Sequence, residues 1–93
     1  MDRFLIKRYL NRINENIVIS FARNHNINMT YFEASQGLFF VRTHFDALYN
    51  CYDKKEYIYY YFSDPFAYKM YSLINIVRNK YNLFWVIFNN FFL

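Results

Sequence analysis

Met29-Thr30-Tyr31-Phe32-Glu33-Ala34-Ser35-Gln36-Gly37-Leu38-Phe39-Phe40-Val41-Arg42-Thr43-His44-Phe45 is the stretch whose reading decides the fold. Met29 to Ala34 alternates loosely between apolar and polar residues, and Leu38 to Phe45 is dense in Phe and Val. Aromatic and β-branched side chains favour a pleated, half-buried surface. Between the two runs stands Ser35-Gln36-Gly37, with the only glycine of the chain placed where a turn needs a positive φ. The stretch therefore reads as a β-hairpin.

Working outward toward the C-terminus, residues 46–56 read as a short helix opened by Asp46, or as an irregular link. The other reading continues the strand and turns at Asp53-Lys54-Lys55-Glu56. Tyr57 to Phe62 reads as a third strand on the same aromatic signal. Ser63-Asp64-Pro65 is then a helix start, because an Asp side chain can accept from free backbone N–H groups and Pro fits the first turn. Phe66, Met70, Leu73, Ile74, Val77, Tyr81, Phe84 and Phe88 follow at the spacing of one helix face. Beyond Asn82 the segment Leu83-Phe84-Trp85-Val86-Ile87-Phe88 is apolar all round, which calls for a covering partner.

Toward the N-terminus, residues 3–23 read as one amphipathic helix with Ile6, Leu10, Ile13, Ile17 and Phe21 on its apolar stripe. Lys7, Arg8 and Arg12 lie across from that stripe. They are the candidate nucleic-acid-binding residues, although the ordinary role of such residues is a solvated helix face.

The expected fold class is therefore α+β. A small three-stranded antiparallel sheet would carry an N-terminal and a C-terminal helix packed on one face, in a single domain over residues 1–93. Alternation along the strands would turn Phe32, Phe39, Val41, Phe45, Ile58, Tyr60 and Phe62 toward the helices. Tyr31, Phe40, Arg42, His44, Tyr57, Tyr59 and Tyr61 would line the open face. This order of elements resembles the double-stranded-RNA-binding domain. The likeness stops at element order: that family's lysine cluster opens its second helix, where this chain has Asp64-Pro65-Phe66-Ala67-Tyr68-Lys69.

In a chain of 93 residues, 56% apolar and 26% aromatic, a thin core cannot absorb all of that surface. A contiguous exposed patch follows, and such patches mark interaction sites. Phe, Tyr, Asn and Ile have AT-rich codons, so an AT-rich organellar, viral or mobile-element genome accounts for part of the aromatic excess. One Gly leaves no phosphate-binding glycine loop, and one Cys leaves neither an internal disulfide nor a thiolate metal site. No cofactor is expected. Of the net charge of +4, residues 1–26 carry +3 through Arg3, Lys7, Arg8, Arg12 and Arg23 against Asp2 and Glu15.

His44, Asp46 and Cys51 supply the residue types of a cysteine nucleophile, but no motif surrounds them, and a small buried Cys is the ordinary outcome. No catalytic residue is assigned. The open-face row of Tyr57, Tyr59 and Tyr61 with Arg42 is one expected partner-binding surface. The tail residues Phe84, Trp85, Val86 and Phe88 are the other. The expected function is a non-enzymatic subunit docking onto a larger protein assembly, or self-associating. Alternatives are a small RNA-binding module that stacks bases on the tyrosines, and a viral or mobile-element protein that blocks a host protein. Leu83 to Leu93 is interrupted by Asn89-Asn90 and falls short of the ~20 apolar residues of a membrane span, so the tail is expected at most to touch a membrane surface. With no apolar signal near the start, an intracellular or organellar location is expected.

Overall fold

The computed structural model describes the backbone of residues 3–92 and the side chains of residues 3–79. Six helices make up the described chain: α1 Arg3–Arg12, α2 Glu15–Asn24, α3 Tyr31–Thr43, α4 Phe45–Asn50, α5 Lys54–Tyr61 and α6 Phe66–Phe92. Among the described residues there is no strand. The α+β expectation is thus overturned: the three aromatic runs read as strands are helices.

The physical reason is visible at each helix start. Thr30 accepts from Glu33 N at 3.1 Å while the Glu33 carboxylate accepts from Thr30 N at 2.9 Å, a reciprocal cap for α3. Asp53 accepts from Glu56 N at 3.0 Å and caps α5. Within α3 the buried residues Ala34, Gly37 and Leu38 and the half-buried Val41 recur at helical spacing, so a helix buries one clean face. Capping and burial together outweigh a β-propensity whose whole scale spans about 1 kcal/mol. Gly37 sits inside that helix with no positive φ. Its missing Cβ faces Phe66, which a methyl would meet at 3.9 Å.

The N-terminal amphipathic segment is two helices rather than one. Asn14 is extended and accepts from Ile17 N at 3.0 Å, so it starts α2 where a single helix was expected to continue. The long C-terminal helix is present as read. Asp64 accepts from Tyr68 N at 3.2 Å in its first turn.

The core has two parts. Phe40, Leu48, Ile58, Ala67 and Met70 join α3, α4, α5 and α6. Ala22, Met29, Ala34 and Leu73 join α2, α3 and α6. Phe66 packs against both. Ile58 is the one large side chain fully buried among the described residues, as a thin core requires. The first turns of α6 thus meet α2, α3, α4 and α5 in the two clusters, while α1 is tied to α3 through Arg42.

Candidate functional site

The expected tyrosine row does not exist on this fold, because a helix distributes alternate residues around its circumference. On α5, Tyr57 and Tyr61 lie one turn apart, while Tyr59 lies about 160° away from Tyr57. Tyr57 and Tyr61 face α3. Their rings stand 6.1 and 5.2 Å from Phe40, and His44 Nδ1 shares a hydrogen bond of 2.7 Å with the Tyr57 hydroxyl. Partial burial, and then the Tyr61 hydroxyl, raise the Tyr57 pKa. Tyr59 instead donates its hydroxyl to Asp64, which pushes its pKa up to about 12. Lys55 lies over the Tyr59 ring at 5.9 Å.

Arg42 is not beside the tyrosines. It projects about half a turn around α3 from Phe40 and His44. Its guanidinium donates to Leu10 O at 2.9 Å and Ile13 O at 2.6 Å. These carbonyls lie at the end of α1, where a helix leaves acceptors unpaired and favours a cation. Arg42 therefore ties α1 to α3.

Of the basic residues on α1, Lys7 turns toward α4 and lies 5.9 Å from the Phe45 ring. Arg8 and Arg12 are exposed, and neither forms an ion pair among the described residues. Phe84, Trp85, Val86 and Phe88 lie on the backbone of α6, and their side chains lie outside the described residues.

The three residues weighed as a nucleophile site have separate partners. His44 is bonded to Tyr57. Asp46 pairs with Arg3, whose guanidinium holds its carboxyl below the usual range. The Cys51 thiol donates to Leu48 O at 3.3 Å. No group of residues able to hold a metal occurs among the described residues. Two open surface hollows are lined, one by Arg23, Asn26, Ile27 and Asn28 and one by Arg3, Phe4, Lys7 and Asp46, the last holding the Arg3–Asp46 ion pair.

What the sequence reading missed is the outer face of α3. Phe32 and Phe39 are 73% and 71% exposed, although both were expected to point into the core. They are seven residues apart, so they stand on one face about 10.5 Å apart along the axis. Gln36 lies between them and Thr43 one turn beyond. The Thr43 hydroxyl is folded back onto Phe39 O at 2.8 Å, which removes a donor from that face. The signal was present: once Ala34, Leu38 and Val41 are taken as the buried stripe, helical spacing places Phe32 and Phe39 opposite them. Comparison with known proteins returns no matching protein family, no matching curated protein and no matching solved structure. The functional reading therefore rests on geometry. No helix among the described residues is long and apolar enough to cross a membrane.

Proposed function

We propose that this chain is a non-enzymatic interaction subunit that docks onto a larger protein assembly through the outer face of α3. The observation that carries the reading is the pair Phe32 and Phe39, each more than two-thirds exposed on one helix face with the uncharged Gln36 between them on that face. Two rings two turns apart are the spacing with which a helix enters an apolar groove on a protein partner. Aromatic side chains so placed carry large contact area and are enriched among the residues that dominate binding. The apolar sequence Leu83 to Phe88 extends the same chemistry to α6. A protein partner outranks RNA, because the base-stacking row that supported RNA is dispersed around α5.

The test is the double variant Phe32→Ser/Phe39→Ser. Both side chains lie outside the core, so the helical circular dichroism and the melting temperature should stay close to those of the parent. Partners captured from a native lysate by the parent should survive nuclease treatment and should be lost with the variant. Capture that the variant retains in full, or that nuclease abolishes, refutes this reading.

A further inference from the structure

The outer face of α1 combines features that the docking face of α3 lacks. Arg3 to Arg12 carries four cations and no acid. Two of them are turned inward: Arg3 pairs with Asp46 and lies 5.8 Å from the Tyr49 ring, and Lys7 lies against Phe45. Arg8 and Arg12 point the other way. The half-buried residues Ile6, Leu10 and Ile13 seat the helix, and Arg42 holds its last carbonyls. The outward side is therefore presented on a fixed support. At about 100° of rotation per residue, Arg8, Arg12, Leu5 and Tyr9 share an arc of about 100° on that side, and Phe4 stands at its edge, where it also lines the hollow formed with Arg3, Lys7 and Asp46. Phe4 is 75% exposed, Leu5 48% and Tyr9 45%.

From this face we infer a binding site for an anionic phospholipid surface. Arginine guanidinium groups match phosphate and carboxylate oxygens of lipid headgroups, and their stems can lie along the apolar boundary. Phe4 and Leu5, in the first turn, lie at the level of the acyl boundary, with the Arg8 and Arg12 guanidinium groups among the headgroups. Charge complementarity selects the occupant in two steps. Two exposed arginines with no acid on their helix favour an anionic partner over a neutral or cationic one. The aliphatic Leu5 beside Phe4 gains from an apolar phase next to the anions. A lipid surface offers both, whereas a nucleic acid offers phosphates and planar bases but no medium for Leu5.

The experiment uses the full chain and vesicles of phosphatidylcholine with and without phosphatidylserine, read by co-sedimentation at low and high salt. The chain should bind the phosphatidylserine vesicles, release them as salt rises, and leave pure phosphatidylcholine vesicles unbound. Each basic residue near such a surface contributes about fivefold, so Arg8→Gln/Arg12→Gln should weaken binding about 25-fold. Both arginines are exposed, so circular dichroism should remain that of the parent. Phe4→Ser/Leu5→Ser should also weaken vesicle binding. The inference is overturned if the parent fails to bind the anionic vesicles or if the arginine variant binds them as the parent does. It is equally overturned if the arginines govern binding to a single-stranded RNA oligomer while Phe4→Ser/Leu5→Ser changes neither RNA nor vesicle binding. That last outcome would give the face to nucleic acid. The α3 variant Phe32→Ser/Phe39→Ser should bind vesicles normally, so the two surfaces can fail independently.

Discussion

Replacing Gly37 by alanine should stabilise the protein by about 1 kcal/mol. Glycine in a helix interior is less favourable than alanine by ~0.8–1.0 kcal/mol, because it loses more backbone freedom on folding. Gly37 lies in the middle of α3 and is buried. An added Cβ would meet Phe66 Cζ at 3.9 Å, an ordinary van der Waals separation, so no clash offsets the gain. The new methyl also adds a small buried apolar area against that ring. For a domain of this size ~1 kcal/mol corresponds to a rise of about 4–8 °C in melting temperature. The assay is reversible thermal unfolding followed by helical circular dichroism, with urea unfolding as a second measure. The urea midpoint should rise at unchanged slope. A variant destabilised by ~1 kcal/mol or more would refute the reasoning. It would mean that residue 37 needs a left-handed conformation, as the hairpin reading of the sequence requires, or that the α3–α6 contact is too tight for a methyl.

Arg42→Ala should cost about 2 kcal/mol, since hydrogen bonds from a charged donor to two carbonyls are lost, and limited proteolysis should then cut first at the α1–α2 junction. Glu33 has its pKa lowered from the ordinary 4.5, first by the Thr30 N–H and also by Lys69, whose ammonium lies 3.1 Å from both carboxylate oxygens. Its stabilising contribution is therefore complete above about pH 4.5 and lost as pH falls through the lower folded value; Glu33→Gln should flatten the acid limb of a stability–pH curve in that window. Tyr59 has its pKa raised from 10.0 to about 12, so its contribution is present below pH 10.0 and lost as pH climbs through about 12. In an alkaline titration followed at the tyrosinate absorbance, Tyr59→Phe should remove a late-titrating step.

The C-terminal helix was legible because its start and its period agree. Ser63-Asp64-Pro65 and the spacing Phe66, Met70, Leu73, Ile74 admit one interpretation, and Met70 and Leu73 lie in the core. The stripe Ile6, Leu10, Ile13, Ile17 and Phe21 was legible only in part: its first three members are half-buried on or just after α1, but the cap at Asn14 breaks the single helix and Ile17 is exposed on α2. α3 and α5 were not, because two signals conflicted. Their Tyr- and Phe-rich runs favour strands by propensity, while Thr30-x-x-Glu33 and Asp53-x-x-Glu56 mark helix starts. Propensity is the weaker signal, and in a chain with 26% aromatics it is diluted further, since aromatics appear in every element. The misreading carried over to the candidate site. A period of two aligns Tyr57, Tyr59 and Tyr61, whereas the helical period separates them and brings Phe32 and Phe39 together. Arg42 could not be placed from the sequence, because its partners are backbone carbonyls about thirty positions earlier, at |i−j| of 32 and 29.

The position of Phe66 against both halves of the core has a thermodynamic consequence. A chain with two small apolar clusters would melt in two steps if each cluster stood alone. Here one ring is a shared member, and Ala67, Met70 and Leu73 on the same helix divide between the clusters. Losing either half strips packing from the other, so unfolding should be a single cooperative transition. The coupling can be measured directly. Substitutions at Ile58 in one cluster and Leu73 in the other should show an interaction energy that vanishes once Phe66 is replaced by alanine.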